Sequence, residues 1–349
     1  MFLRERNGHR DHVATCVDEL IYFSDDERFF QNFEATVAKR FTISECDDLN
    51  WFLGMQIKRE EGRIDIYQET YIETLSENFG MKDAKGLLTP LTEKQQFSKN
   101  DCPAEGSLEQ AEMKNCNFRG MIGSLNYLAN TTRPDITFAV RALSRFVQNP
   151  GKTHWLQGKH ILRYLKATKC KKLTYRKSNE LEILGYSDAD WAGRVDDRKS
   201  TSGFCFFLNE KSGAVSWNSK LQTTVSTSTA EAEAMLLFAA SQELEFLRNL
   251  AAEVVIDTSR SSTVFVDNQA CIAITKNTVN SQKVKHFAIK LSFIHEKIEL
   301  KHLDVAFCPT TDMIADLLTK ALGRNKVERF SKRLSEEHNL CTTSKTGEF

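Results

Sequence analysis

Three short β runs, "LEILGYSD", "SGFCFFL" and "GAVSWNS", follow one another from about residue 181 with only turn residues between them. Runs this closely spaced pair as an antiparallel meander. The pattern then switches to alternation. Ser228 with Glu231 three residues later is a capping-box signature, and it opens a helix predicted over residues 229–253. "STVFVD" reads as a fourth strand that passes directly into the helical "NQACIAITKN". "VKHFAIKLSFIHEKIE" reads as a helix, "HLDVAF" as a fifth strand and "TTDMIADLLTKAL" as a closing helix. In outline this is βββαβαβα, an α/β unit with a mixed five-stranded sheet and helices on its faces.

In open α/β sheets, chemistry gathers at strand ends and at the helix starts beside them. Asp188 ends the first of these strands and Asp267 ends the fourth. Glu233 lies in the first turns of the long helix and Asp316 early in the last. Helical spacing separates Glu233 from its neighbour Glu231. Stepping from Glu233 meets Leu236, Leu237, Ala240, Leu244 and Leu247, a buried-face stripe, whereas the same steps from Glu231 reach Gln242 and Glu245. An acid heading a buried stripe is costly without a partner. Several carboxylates share a site only around a cation, and oxygen-only ligands suit Mg²⁺ or Mn²⁺ rather than zinc. The competing reading is a set of solvated surface acids. Within "GYSDADWAGRVDDRKS", Asp190 falls on the same face as Asp188 but beyond the strand end. Asp196 and Asp197 belong to the following turn and are expected in solvent, paired with Arg194 or Arg198.

Upstream, "VATCVDELIYFS" is a strand-like run broken by a turn at Asp18 and Glu19, and "DDERFFQNFEATVAKRF" carries helical spacing. "NWFLGMQIKREEGRIDIYQ" reads as a hairpin turning at Glu61–Gly62. Helices are expected to about Gly80, then around 116–130, 134–148 and 153–168, with Thr153 as an N-cap. The polar stretch 85–112 between them reads as an exposed linker. The chain has no net charge, yet from Met113 to Lys177 it carries fourteen Lys/Arg against one acid, Asp135. Lys152, Lys159, Arg163, Lys166, Lys169, Lys171 and Lys172 are candidates for nucleic-acid binding, interleaved with Trp155, Tyr164 and Tyr175. A solvated helix face partnered from another domain accounts for the same charges. No stretch approaches ~20 uninterrupted apolar residues, the length of a membrane span. The charged start "MFLRERNGHRDH" lacks the apolar core of a signal peptide. The nine cysteines are scattered, as suits free thiols in a reducing compartment.

"GYSDADWAG", "DDRKSTSGFCFFL", "AVSWNSKLQTTVSTSTAEAEA", "VDNQACIAITKN", "KHFAIKLSFIHE" and "TTDMIADLLTKAL" together resemble one family. Upstream, "WFLGMQIKREEGRI", "YIETLSENFGM", "GSLNYLANTTRPDI" and "HWLQGKHILRYLKAT" extend the match. The family is the polyprotein of copia-type LTR retrotransposons, from the end of its reverse transcriptase through its ribonuclease H. The resemblance implies a partial reverse-transcriptase palm over 1–70 and a helical, basic thumb and connection over 71–180. A ribonuclease H-like domain over 181–325 and a tail over 326–349 would follow. It implies metal-dependent hydrolysis of the RNA strand of RNA–DNA hybrids with two Mg²⁺ or Mn²⁺ ions. Asp188 and Asp267 would ligate both ions, and Glu233 and Asp316 would each complete one shell. The loop "CPTTD" lacks the histidine many cellular relatives carry there, and His286 lies on the preceding helix. The family's "YVDD" stands here as "CVDE", leaving Asp18 and Glu19 as a degenerate polymerase site. Polymerisation by this chain alone is therefore not expected. Hybrid, DNA, RNA and other parts of the polyprotein are the implied partners, in a cytoplasmic particle or the nucleus. A non-catalytic nucleic-acid-binding remnant is the alternative, and an active polymerase ranks last.

Overall fold

The computed structural model describes residues 2–6, 8–17, 19–24, 26–43, 49–178, 180–226, 228–254, 256–276 and 288–335. Strands β1 (Phe2–Arg6), β2 (His9–Cys16) and β3 (Glu19–Ser24) form an antiparallel sheet. Cys16 pairs with Glu19, so β2 and β3 turn through two residues where the sequence predicts a turn. Asp18 lies outside the described residues. Helix α1 (Glu27–Ala38) is capped by Asp26, whose side chain accepts from the Arg28 amide, and it packs Phe29 and Phe33 against Tyr22 of β3.

Strands β4 (Trp51–Phe52), β5 (Met55–Glu60) and β6 (Arg63–Tyr67) begin a second sheet. The β5–β6 turn needs a left-handed residue, and Gly62 supplies it at φ 68°. Helices α2 (Glu69–Asn78), α3 (Leu108–Lys114), α4 (Phe118–Thr131), α5 (Thr137–Ser144) and α6 (Lys152–Ala167) follow. Strand β7 (Leu173–Arg176) then returns to pair with β6, although some 100 residues of chain separate them. Gly80, at φ 65°, ends α2 as a left-handed cap.

Two expectations fail in this region. The 85–112 stretch is not an exposed linker. Leu91 and Phe97 are 2% and 5% exposed, Phe97 packs beside Phe146 and His154, and the Leu87 amide donates to the Arg163 carbonyl. Its polar composition hides a few apolar anchors, enough to hold it against α6. Helix α6 starts one residue earlier than expected, with Gly151 rather than Thr153 at its N-cap. The ring of buried His154 accepts the Gly151 amide through Nδ1 and does the capping.

The third sheet contains β8 (Leu184–Asp190), β9 (Thr201–Phe207) and β10 (Ala214–Leu221) as the expected meander. Helix α7 runs over Thr229–Glu253, with the Ser228 hydroxyl accepting the Glu231 amide. Strand β11 (Ser262–Val266), helices α8 (Gln269–Lys276) and α9 (Ala288–Glu299), and strand β12 (Leu303–Phe307) complete the alternation. The strand order is β10-β9-β8-β11-β12, with β8, β11 and β12 parallel. This is the five-stranded mixed sheet with flanking helices that the ribonuclease H resemblance implies. One face packs on α7, and the other, through Cys205 and Phe207, joins the core of the helical body.

The expected closing helix over "TTDMIADLLTKAL" is absent. Only Ile314–Leu318 is helical, as a 3-10 turn, and all five of its residues are buried. With no solvent face, this segment is not built as an amphipathic helix. The chain instead ends its described part in α10 (Arg324–Ser335), which buries Val327, Phe330 and Leu334. Among the described residues, Cys16, Cys102, Cys116, Cys205, Cys271 and Cys308 are free thiols, as expected, whereas Cys170 is disulfide-bonded. No described helix is long and apolar enough to cross a membrane.

Candidate metal centre

Parallel register brings the first two carboxylates together. Phe265 of β11 pairs with Tyr186 of β8, and continuing that register by two residues sets Asp267 beside Asp188 on the same face. Glu233 reaches the same strand ends from the first turns of α7. One carboxylate oxygen from each of Asp188, Glu233 and Asp267 lies within 4.8 Å of the others. Glu231 is not in this group; its amide serves the cap. The Ala189 amide donates to Glu233 Oε1 at 3.1 Å, and Thr310 Oγ1 donates to Asp267 Oδ2 at 2.8 Å. The Thr319 hydroxyl donates to Asp188 Oδ2.

Asp316 is held nearby by a different device. Lys320 Nζ lies 2.7 Å from Asp316 Oδ1 and 3.4 Å from Asp188 Oδ2, so one ammonium bridges the two carboxylates. Lys326 Nζ approaches Asp316 Oδ2 at 3.2 Å. Asp188, Glu233 and Asp316 are 3%, 4% and 1% exposed, a depth at which an uncompensated negative charge is costly. Burial pushes the Asp188 carboxyl up to about 7, with Asp316 and Asp267 adding to the shift while Lys320 and Thr319 oppose it. Burial and then Asp188 raise Glu233 well above the carboxylate range. Lys320 goes the other way: burial works against its charge, but Asp188 and Asp316 outweigh it and raise its pKa.

This donor set fits a divalent cation. The three converging groups offer oxygen alone, the preference of Mg²⁺ and Mn²⁺. Glu233 Oε2 is buried with no hydrogen-bond partner among the described residues, an acceptor with nothing to satisfy it. Thr319, Lys320, Lys326 and Thr310 are site residues that the sequence reading misses. The Asp316–Lys320 spacing of four is the one signal in the sequence that could have found any of them.

Of the remaining acids in "GYSDADWAGRVDDRKS", Asp190 is half-buried, and burial raises its pKa. Asp196 and Asp197 both pair with Arg194, at 3.8 and 3.0 Å. Asp196 is an exposed turn residue paired with Arg194, as expected, and its carboxylate also accepts the Lys99 amide of the helical body. Glu19 accepts the Leu53 amide at 2.6 Å, tying the first hairpin to the second sheet. His286 lies outside the described residues.

The basic stretch is occupied within the chain. Lys152 pairs with Glu112, and Lys169 with Glu69 and Glu73. Arg163 donates to the Lys85 carbonyl and Lys166 to the Ala84 carbonyl, which pins the 82–85 segment to α6. Lys171 lies 3.7 Å from buried Asp135, and Lys172 faces Asp65 and the Tyr67 ring. Lys159 stands over Trp155. Attraction to a polyanion would have to compete with these partners.

A family model described as reverse transcriptase (RNA-dependent DNA polymerase) matches residues 1–93. The retrovirus-related Pol polyprotein from transposon TNT 1-94 of Nicotiana tabacum is 36% identical over 314 residues, 89% of this chain and 23% of that protein. The corresponding polyprotein from transposon RE2 of Arabidopsis thaliana is 32% identical over 339 residues, 96% of this chain and 22% of that protein. The chain thus spans less than a quarter of the length of these relatives. Among solved structures, LC11-RNase H1 in complex with an RNA/DNA hybrid is similar at 20% identity. The match covers 40% of this chain and 94% of that one, with a TM-score of 0.31.

Proposed function

Because the chain belongs to the copia-type retrotransposon Pol family, we propose that its third sheet is a ribonuclease H that hydrolyses the RNA strand of RNA–DNA hybrids. The observation that carries this is the convergence of Asp188, Glu233 and Asp267 within 4.8 Å at adjoining strand ends. Two Mg²⁺ or Mn²⁺ ions held by these residues, with Asp316 beside them, would supply Lewis-acid activation of a water and stabilisation of the leaving oxygen. The protein's own part is positioning. Thr319 and Thr310 orient Asp188 and Asp267, and the Ala189 amide fixes Glu233. Lys320 neutralises Asp188 and Asp316 until substrate and cation arrive. Residues 181–325 would form the nuclease, 1–70 a partial palm and 71–180 a thumb and connection that supports nucleic acid.

One observation favours a second reading, a non-catalytic nucleic-acid-binding remnant. The Lys320 ammonium already answers two of the four carboxylates, which a protein without metal would need. An end-labelled hybrid distinguishes the two. The nuclease cuts the RNA strand in Mg²⁺, leaving 3′-hydroxyl and 5′-phosphate ends, and does nothing in chelator. Binding without cleavage in both Mg²⁺ and Mn²⁺ would support the remnant.

A further inference from the structure

A cavity of about 400 Å³ lies between α5 and the ends of β9 and β10. Lys94, Arg141, Arg145, Arg194, Lys320 and Lys326 line it, against two acids, Glu93 and Asp190. Its walls come from both halves of the molecule: Arg141 from α5 and Arg145 from its C-cap, Lys94 from the 85–112 segment, Arg194 from the loop after β8, Lys320 from the segment after the 3-10 turn and Lys326 from α10. Those walls are tied together. Gln96 Nε2 donates to the Gly193 carbonyl at 3.1 Å, the Lys99 amide to Asp196, and the Lys94 amide to the Ala321 carbonyl at 3.0 Å. The cavity is therefore a fixed feature of the joint between the helical body and the third sheet.

Arg145 is poorly satisfied where it stands. Arg145 donates through Nε to the Ala142 carbonyl and lies over the Phe146 ring, with no ion-pair partner among the described residues. Arg194 pairs with Asp196 and Asp197 through its terminal nitrogens, but its Nε is buried without a hydrogen-bond partner among the described residues. Burial and then the Arg194 charge lower the Arg145 pKa, while Asp196 and Asp197 oppose the shift. The cavity also adjoins the carboxylates. Lys320 and Lys326 line it while touching Asp316, and Asp190 lies two residues beyond Asp188.

We propose that this cavity is a phosphate subsite, in which Arg145 and Arg194, with Arg141 beside them, hold a backbone phosphate next to the one presented to the carboxylates. The planar guanidinium fork matches phosphate oxygens, and an anion there would give Arg145 the counter-charge it lacks among the described residues. The inference rests on the nucleic-acid reading above and deepens it: the helical body would contribute directly to substrate placement.

The test is equilibrium binding of a short RNA–DNA hybrid to the full chain in chelator, over a range of NaCl concentrations. Wild type, Arg145→Gln and the double variant Arg141→Gln/Arg145→Gln are compared, with circular dichroism to verify that each is folded. Loss of one phosphate contact should lower the slope of log affinity against log salt by about 0.7–0.9 and weaken binding several-fold at low salt. An unchanged slope in both variants overturns the subsite, as does absence of hybrid binding by wild type. Millimolar inorganic phosphate provides a second arm. If it alone raises the Tm of wild type as much as hybrid does, the cavity is a free-anion site and the backbone assignment is wrong. Cleavage by wild type is scored separately, so a bound but uncut hybrid would sink the nuclease while leaving the subsite standing.

Discussion

Asp135 is buried with Arg133 Nε and Nη2 on its two oxygens, at 2.9 and 2.8 Å, and with the Tyr164 hydroxyl donating at 2.6 Å. Burial would raise its pKa, but Arg133, Lys171 and these hydrogen bonds outweigh burial and hold it well below the usual carboxylate range. A depressed folded pKa contributes stability that is fully present above the unfolded value and is lost as pH falls toward the folded one. Asp135→Asn should therefore cost about 3–5 kcal/mol at pH 7 by urea unfolding. That penalty should shrink below about pH 4, where the unfolded carboxyl takes up its proton. Lys320 makes the opposite kind of prediction. Lys320→Met removes the ammonium shared by Asp188 and Asp316, so the metal-free variant should melt below wild type. Added Mn²⁺ should then restore more of its Tm than it adds to wild type; equal shifts would show that Lys320 does not offset the carboxylate charge. At this scale the acids were legible, because strand ends and a helical stripe pick out Asp188, Asp267 and Glu233. Their lysine and threonine partners were not. Nothing in a linear sequence tells which cation folds back onto a buried acid.

Among the elements, the 3-10 turn of Ile314–Leu318 decides how close Asp316 comes to Asp188. It rests on β9 at Gly203, which pairs with Asp188 across the sheet. A Cβ built at Gly203 would lie 2.7 Å from Leu318 Cβ and 3.1 Å from the Leu318 backbone, neither of which is the flexible end of a side chain. Gly203→Ala should push the turn away, destabilising the protein by about 1–3 kcal/mol. Hybrid cleavage should fall more than hybrid binding does; an unchanged cleavage rate would mean the turn has no part in the site. The meander, α7 and the alternation after it were readable because strand and helix periods differ and turn residues punctuate them. A 3-10 turn replaces the helix that the sequence predicts because its residues are buried all round, and the periodic pattern carries no information there. The 85–112 segment departs from its expected exposure for the reverse reason, since its few anchors are outnumbered by polar residues.

Across the whole molecule, one apolar core runs from Ile72 of α2 through α4, α5 and α6 to Phe207 of β9 and Phe330 of α10. Arg333 of α10 lies 3.9 Å over the Phe207 ring and donates to the Ser212 carbonyl. Thermal unfolding should therefore show one cooperative transition shared by helix signal and the Trp155 and Trp217 environments, and two separated transitions would contradict the shared core. Such continuity is invisible in sequence, where composition suggests separate segments and the contacts are between residues far apart. The same joint builds the arginine cavity beside the carboxylates. The central claim is that the carboxylate cluster cuts hybrid with divalent cations, and Asp267 is its least buried member, so it is the one most easily changed without loss of fold. The deciding measurement is the rate of RNA-strand cleavage against Mg²⁺ concentration for wild type and Asp267→Asn, both verified as folded. The account predicts a rate that rises with Mg²⁺ in wild type and falls at least about 100-fold in the variant, on the scale of losing a group that acts only in the transition state. Equal rates in the two proteins, or no cleavage by wild type at any Mg²⁺ concentration, would contradict it.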